Sequence, residues 1–358
     1  MTRALTLAVL LATLIVPAGA QAAKVPSHGS VRVLKPLTSH ARLTAAAKNL
    51  YVRYSSVGLQ GQPIVVSGTI ALPKGKAPKS GWPVLSFAHG TTGLADQCAP
   101  SADTVSSPSS GINPWLNSML RAGFAVVRTD YEGLGTPGIL PYLNGVSEAR
   151  SVLDIVRAAR RAFPALGKRL VIAGHSEGGH AALWAAYEAR RWTPELDLRG
   201  TVAFAPASHL AVQAAVMIGL DITAFSPIIG YVLRGIDVVR PDLHITAQLS
   251  PRALELWPQT DTQCNAAIGQ ADSWGGITAK DIFVPNPDLG PATAYLKSTD
   301  PENLKIKGRV MVVQGDKDLT VLPNFTDDLV KQYEARGTKV AYMRYAGQGF
   351  EIQVDLPD

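Results

Sequence analysis

The sequence of 358 residues has only two cysteines, Cys98 and Cys264. Two thiols are too few for a disulfide-dense scaffold or for a zinc site with four thiolate ligands. Charged residues are also scarce, at 17% against 46% hydrophobic residues, so the chain can form a large core and is not disordered as a whole. The net charge of +6 is spread along the chain without a run of five like charges. We therefore predict that nucleic acid is not a partner.

Two groups of catalytic motifs are missing as well. The sequence has no His-Glu-x-x-His segment and no clustered spacing of cysteines and histidines, which makes a metal-dependent hydrolase an unfavoured alternative. It also lacks the glycine-rich P-loop that ends in Lys-Ser or Lys-Thr, so nucleotide hydrolysis has no support. We expect the protein to need neither a metal nor another cofactor.

The amino-terminal segment has the order of a secretory signal peptide. Arg3 precedes a short apolar run that ends at Pro17 and is followed by Ala18-Gly19-Ala20, which predicts export and cleavage after Ala20 or Ala22. A membrane anchor is the alternative, but this run is too short to cross a bilayer comfortably. We therefore assign residues 1–22 to a signal peptide and expect a secreted protein, either periplasmic or extracellular.

Export bears on the two cysteines. In an oxidising compartment Cys98 and Cys264 can form a disulfide. Two unrelated buried thiols are the alternative, and the separation of the two cysteines in the sequence leaves both open.

Short apolar strands alternate with amphipathic helices along most of the chain, which indicates an α/β fold with a mostly parallel sheet and helices on both faces. The first two strands, at 51–58 and 63–72, are expected to form a hairpin. Later strands are expected at 84–88, 124–128, 170–173, 202–205, 310–313 and 340–345. Helices are expected at 115–121, 147–163, 178–190 and 326–335.

Residues 208–300 interrupt this alternation. They contain two apolar runs with helical spacing, at 210–220 and 228–236, followed by segments rich in Pro, Asn and Asp. An insertion of this size between two sheet strands predicts a mainly helical lid or cap, and a separately folded domain with another role is the alternative. The predicted division is therefore a core at 43–207 and 301–358 with a lid at 208–300.

The segment Gly174-His175-Ser176-Glu177-Gly178 lies between a predicted strand and a predicted helix. At such a junction a Gly-x-Ser-x-Gly sequence forms a tight turn that presents the serine hydroxyl to a cleft. The helix amino terminus also favours developing negative charge. The alternative is a glycine-rich turn with an ordinary exposed serine. We predict that Ser176 is a nucleophile.

A serine nucleophile needs an acid that orients its base and donors for the oxyanion. Asp318 is the predicted acid, because it follows the strand at 310–313 and so lies at the carboxyl edge of the sheet. Asp316 is the competitor, and as a turn-forming residue it is the better candidate for a structural role. The backbone N–H groups of Thr91, in a glycine-containing loop, and of Glu177 are the predicted oxyanion donors.

The general base is missing from its expected place. No histidine follows His244 in the sequence, and Phe350 stands in the loop after the last predicted strand, where the histidine is expected. His209 follows the end of a strand and is the one candidate for a replacement. Single histidines are more often structural than catalytic, so we do not assign it the role.

Taken together, these motifs resemble the secretory lipase family of α/β-hydrolases, which includes lipase A-type enzymes. The resemblance covers most of the chain after about Leu43. The segments that carry it are His89-Gly90-Thr91-Thr92-Gly93, Cys98-Ala99-Pro100-Ser101, Asp130-Tyr131-Glu132-Gly133-Leu134-Gly135, Ser151-Val152-Leu153-Asp154, Gly174-His175-Ser176-Glu177-Gly178 and Ala205-Pro206-Ala207.

The resemblance implies an α/β-hydrolase fold and a set of site residues. By role these are the nucleophile Ser176, the acid Asp318 and the oxyanion donors Thr91 and Glu177. The resemblance also implies a disulfide between Cys98 and Cys264 that holds the lid. The family's histidine falls on Phe350, where its pattern is not met.

Two functions follow as hypotheses. The first is a secreted serine ester hydrolase that acts through an acyl-enzyme on Ser176, with a small-molecule ester or a lipid as substrate and transient contact with lipid interfaces. The second is a non-catalytic or severely impaired member of the same fold that binds lipids or esters, with Phe350 at the base position. The sequence predicts neither the acyl chain length nor an oligomeric state.

Overall fold

The structure is a computed structural model that describes residues 27–103 and 111–349. Within these ranges nine strands form one sheet. The predicted signal peptide and Phe350 lie outside the described residues. The strands are β1 (Val31–Pro36), β2 (Lys48–Val57), β3 (Pro63–Leu72), β4 (Trp82–Ala88), β5 (Ala125–Thr129), β6 (Leu166–His175), β7 (Asp197–Phe204), β8 (Arg309–Gly315) and β9 (Lys339–Tyr345).

The strand order in the sheet is β1-β2-β3-β5-β4-β6-β7-β8-β9. The pairs β1/β2, β2/β3 and β3/β5 are antiparallel, and the other five pairs are parallel. The predicted mostly parallel α/β sheet is confirmed. Strand β1 was not predicted, because it is an edge strand whose residues are mostly exposed and so lacks the pattern of a buried strand.

Helices cover both faces of the sheet. Among the described residues they are α1 (Asn113–Arg121), α2 (Gly145–Ala162), α3 (Glu177–Trp192), α4 (Leu210–Leu220), α5 (Ser226–Val239), α6 (Pro251–Leu256), α7 (Asn265–Ile268), α8 (Gly290–Ser298) and α9 (Pro323–Ala335). A sheet covered on both faces needs strands whose successive side chains pack on opposite faces, and β4 shows this alternation. Leu85 and Phe87 pack with α1 on one face, whereas the Ser86 hydroxyl on the other face donates to the Val152 carbonyl oxygen of α2 at 2.8 Å.

The chain between β7 and β8 adds no strand to the sheet. Helices α4 to α8 and short 3₁₀ turns occupy this insertion. Its buried side chains belong to the same hydrophobic cluster as those of α2 and α3. The indole of Trp274 is fully buried beside Gly230 of α5, where an added Cβ would lie 2.9 Å from the ring. The insertion is therefore packed onto the core as a continuous layer.

An apolar edge of the insertion faces outward. Val212, Leu220 and Ile222, in and just after α4, are 48%, 53% and 45% exposed. Exposed apolar groups that lie together are commonly contact surfaces. No helix in the described part of the chain is long and apolar enough to span a bilayer.

Candidate active site

The turn from β6 into α3 is built around two glycines that have no room for a side chain. A Cβ on Gly174 would lie 1.9 Å from the Gly178 carbonyl oxygen, and one on Gly178 would lie 2.0 Å from the Ala88 carbonyl oxygen. Ser176 lies between them with φ 60° and ψ −120°. Such a backbone conformation costs a non-glycine residue about 1–3 kcal/mol and persists only where the surroundings impose it.

Backbone hydrogen bonds supply that constraint on Ser176. Its N–H donates to the Phe204 carbonyl oxygen at 2.9 Å, and its carbonyl oxygen accepts from the N–H groups of His180 (3.1 Å) and Ala207 (3.2 Å). The turn is thus held between the end of β7 and the first turn of α3. The sharp strand–Ser–helix geometry expected from the sequence is present.

Ser176 opens into a large and mainly apolar cavity. The cavity has a volume of about 900 Å³ and lies between the carboxyl edge of the sheet and helices α4, α5 and α8 of the insertion. This volume lies within the range of small-molecule sites. The apolar lining includes Trp115, Met217, Ile218, Val232, Ile236 and Leu296.

The loop after β4 lies directly against the nucleophile turn. A Cβ on Gly90 would lie 3.1 Å from the His175 carbonyl oxygen and 3.4 Å from the Ser176 Cβ, so the absent side chain permits the close approach. Thr91, the next residue, lines the cavity together with Ser176 and Glu177. The structure therefore brings both predicted oxyanion donors to the wall of one cavity.

The same loop is tied to the insertion. Cys98 and Cys264 form the disulfide that the resemblance implied, with Cα atoms 5.4 Å apart. Gly93 and Cys264 form an isolated antiparallel bridge. Asn265 and Tyr142 also contact Thr91. Sequence reasoning missed these two residues, because they belong to no motif and meet the loop only through the fold.

Asp130 and Tyr131, which follow β5, are buried near the loop after β4. Asp130 accepts hydrogen bonds from the hydroxyls of Ser67 and Ser101 and from the Ser101 N–H. The neighbouring Tyr131 donates from its hydroxyl to the His89 carbonyl oxygen at 2.8 Å. Burial lowers the pKa of the His89 imidazole, which keeps the ring neutral beneath the loop.

Asp318 follows β8 at the carboxyl edge of the sheet and is almost fully buried. Its Oδ1 accepts from the N–H groups of Thr320 (2.8 Å) and Val321 (2.9 Å), and its Oδ2 accepts from Gln314 Nε2 (3.1 Å). Burial raises the pKa of this carboxyl, and the two backbone donors offset part of the rise. Asp316 instead accepts from the Gly347 N–H at 2.6 Å, a contact between two turns.

The described chain ends beside the predicted acid. The Gln348 carbonyl oxygen accepts from the Lys317 N–H at 2.8 Å, and a Cβ on Gly315 would lie 2.4 Å from the Gly349 carbonyl oxygen. The segment that leads to position 350 therefore runs along the loop that carries Asp318.

The structure places His209, the candidate for a replacement base, beside two carboxylates outside the cavity. It is absent from the cavity lining, and its Nε2 lies 2.8 Å from a carboxylate oxygen of both Glu302 and Asp328. Burial disfavours its charged form, but the two carboxylates outweigh this effect and raise the pKa of His209. No group of His, Cys, Asp and Glu side chains in the described ranges is arranged to hold a metal ion.

Two buried carboxyls lie behind the oxyanion donors. Glu177 is 1% exposed, and burial together with the nearby carboxyl of Glu148 raises its pKa well above the ordinary value. Glu148 Oε2 lies 2.9 Å from His180 Nδ1, and burial lowers the pKa of that imidazole to about 4. Burial also raises the pKa of the Glu148 carboxyl, so burial disfavours the charged form of each of these groups behind the oxyanion donors.

The sheet order, the strand–Ser–helix turn and the inserted helical layer define the α/β-hydrolase fold. Solved structures with this arrangement include lipase A of Candida antarctica, with a TM-score of 0.74 and 19% identity over 90% of this chain and 78% of that one. Another is the rice cell wall degrading esterase LipA of Xanthomonas oryzae, with a TM-score of 0.74 and 20% identity over 91% of this chain and 93% of that one. At these identities the likeness concerns the fold.

Residues 112–270 match the family model described as secretory lipase, so the resemblance indicated by the motifs is confirmed. Lipase A of Moesziomyces aphidis is 24% identical over 228 residues, which are 60% of this chain and 46% of that protein. A probable inactive lipase of Mycobacterium tuberculosis is 28% identical over 166 residues, which are 44% of this chain and 36% of that protein. The chain thus matches less than half the length of either relative.

Proposed function

We propose that this protein is a secreted serine ester hydrolase of the lipase or carboxylesterase class, with lipids or other apolar esters as substrates. One observation carries the proposal: Ser176, at a turn where two glycines and three backbone hydrogen bonds impose its conformation, opens into a mainly apolar cavity of about 900 Å³. A water-poor cavity of this kind suits an acyl chain. The similarity to secretory lipases supports the same reaction class.

In the proposed reaction the Ser176 hydroxyl attacks the ester carbonyl and forms an acyl-enzyme, which water then hydrolyses. The N–H groups of Thr91 and Glu177 stabilise the oxyanion of each tetrahedral intermediate. One such donor is worth roughly 10²- to 10³-fold in kcat. The amino terminus of α3 adds a favourable partial charge at the same place.

The proton transfers need a base, and Asp318 is the residue proposed to orient it. In this chain Phe350 occupies the position where the base is expected. Without a base the serine stays protonated, and no acid protonates the leaving alcohol. The second candidate function, a non-catalytic or severely impaired binder of lipids or esters, rests on this one residue. The probable inactive lipase among the similar proteins is consistent with it.

Residues 208–300 are proposed as the lid, between core segments at 43–207 and 301–358. Helices α4, α5 and α8 of this insertion line the cavity, and exposed Val212 and Leu220 give it an apolar outer edge. Transient contact of that edge with a lipid interface follows from its composition. Export by the signal peptide at 1–22 belongs to the same proposal.

The test is labelling with a serine-directed fluorophosphonate, followed by mass spectrometry of the peptide that contains Ser176 and by turnover of p-nitrophenyl butyrate. Ser176→Ala is expected to abolish both label and turnover while the melting temperature stays near that of the parent. Ser298→Ala is a matched control, because among the described residues its hydroxyl bonds within α8, and it should change neither. Labelling or turnover that persists in Ser176→Ala contradicts the proposal.

A further inference from the structure

A residue of the insertion holds two carbonyl groups of the oxyanion loop. Asn265, the first residue of α7, donates from its main-chain N–H to the Thr92 carbonyl oxygen at 3.1 Å. Its side-chain Nδ2 donates to the Thr91 carbonyl oxygen at 2.5 Å, across 174 positions of sequence. Asn265 also lines the cavity that contains Ser176. The loop is therefore held from the insertion side as well as from the sheet.

These contacts fix the orientation of Thr91. Among the described residues, its carbonyl oxygen accepts from Asn265, and its Oγ1 lies 2.6 Å from the Tyr142 hydroxyl. Holding the carbonyl restricts the backbone torsion on one side of the Cα, and holding Oγ1 restricts the side-chain torsion. The two contacts therefore hold in place the residue whose N–H is the proposed oxyanion donor.

Asn265 is itself fixed in place. It follows Cys264, which is bonded to Cys98 and forms the bridge to Gly93. Its side-chain Oδ1 has no hydrogen-bond partner among the described residues, so donation from Nδ2 is the polar contact that its amide makes there. A carboxylate in the same place would set an acceptor against the Thr91 carbonyl oxygen, and alanine would leave that oxygen without this donor.

The reaction rate depends steeply on where the oxyanion donor lies. An oxyanion donor acts when it lies about 2.7–3.1 Å from the position that the oxyanion takes. A displacement of about 1 Å can cost roughly 10²-fold in rate. A group that limits the displacement of Thr91 therefore affects kcat more than substrate binding.

We propose that Asn265 is a positioning residue for the oxyanion donor: its side-chain amide holds the Thr91 carbonyl group and so limits the displacement of the residue whose N–H is the donor. The insertion then takes part in stabilising the transition state, besides covering the cavity. This inference rests on the proposed function, because it takes Thr91 as a donor to an oxyanion formed at Ser176. Asn265 acts through Thr91 and needs no contact with the substrate.

The test compares Asn265→Asp with the matched amide-to-acid control Gln270→Glu, whose side chain bonds to the Ala266 carbonyl oxygen away from the loop. Turnover of p-nitrophenyl butyrate is measured from pH 5 to pH 8 in the parent background and in the Phe350→His background. Asn265→Asp should lower kcat by roughly 10- to 100-fold with KM within about twofold. The control should stay within about twofold in both.

The pH profile separates positioning from general structural damage. As the pH falls toward 5, the carboxyl introduced by Asn265→Asp protonates and regains a donor toward the Thr91 carbonyl oxygen, so the ratio of variant to parent kcat should rise about tenfold. Tyr142→Phe removes the other partner of Thr91 and should lower kcat by a smaller factor, also with little change in KM. It serves as the second variant if Asn265→Asp does not fold.

Each outcome decides the proposal. A folded Asn265→Asp whose kcat matches Gln270→Glu, or whose loss is independent of pH, overturns the positioning role while leaving Ser176-dependent hydrolysis intact. If Asn265→Asp does not fold, an unchanged kcat in Tyr142→Phe overturns it instead. Hydrolysis that is absent in both backgrounds, or unchanged by Ser176→Ala, overturns the proposed function and this inference with it. A kcat loss that low pH relieves supports both.

Discussion

The two sides of the cavity differ in how complete they are. On the side of the nucleophile, glycines without room for a Cβ, backbone hydrogen bonds and a disulfide fix Ser176 and the oxyanion loop. On the opposite side Asp318 is held by three hydrogen bonds, but the proposed base position falls on Phe350, outside the described residues. The side of the nucleophile therefore depends on backbone geometry to which many residues contribute. The side of Asp318 depends on one side chain, the one at the proposed base position.

The largest expected effect comes from restoring that side chain. Phe350→His should raise kcat for p-nitrophenyl butyrate by at least about 10³-fold, because loss of a triad member costs roughly 10⁴- to 10⁶-fold and Asp318 is already held in place. The two rings are planar and similar in size, so the fold should accept the change. Phe350→Leu is the control and should give no gain. High activity in the parent chain, or no gain in a folded Phe350→His, would show that position 350 is not the base position.

On the side of the nucleophile, a substitution that disturbs the backbone should lower the free energy of unfolding. Gly178→Ala places a Cβ 2.0 Å from the Ala88 carbonyl oxygen and should lower the free energy of unfolding by about 3 kcal/mol or more. Gly219→Ala, in α4, meets nothing within 4 Å. It should stay within about 1 kcal/mol of the parent, on the stabilising side. Denaturant titrations measure both, and equal effects would contradict the account of the turn.

The smallest expected effect concerns the protonation of the Glu177 carboxyl, behind the oxyanion donors. Burial and the Glu148 carboxyl raise the pKa of Glu177, and the Thr91 side chain offsets part of the rise. A raised folded-state pKa means that this group contributes stability at low pH and loses it as the pH rises from the unfolded value toward the folded one. The melting temperature of Glu177→Gln relative to the parent should therefore increase from pH 4.5 to pH 8. A constant difference across this range would mean that the carboxyl is not held neutral.

Much of the fold could be predicted because burial leaves a periodic signal. The apolar run at 210–220 coincides with α4, and the hairpin strands and the later parallel strands lie where alternation and apolar runs placed them. The turns between α5 and α8 have no such signal, since Pro-, Asn- and Asp-rich segments form 3₁₀ turns without a repeating pattern. Strand β1 was missed for the same reason at an exposed edge.

The residues of the candidate site also differ in whether the sequence carries a local signal for them. Ser176 and Thr91 lie in local motifs with a mechanical meaning, so sequence alone could place them on one cavity wall. Asn265 and Tyr142 have no local signal, because their role arises where separate parts of the chain meet. Residues that position a catalytic group from a distance are therefore the ones that sequence reasoning finds last.

The disulfide also has a topological consequence. The bond between Cys98 and Cys264, at a sequence separation of 166, closes a covalent ring that contains β5, β6, β7 and the turn at Ser176. A single protease cut anywhere inside this ring, including the exposed edge near Leu220, opens the ring without releasing a fragment. The two pieces stay linked, and the nicked molecule keeps its oxyanion loop and its nucleophile on one covalent unit.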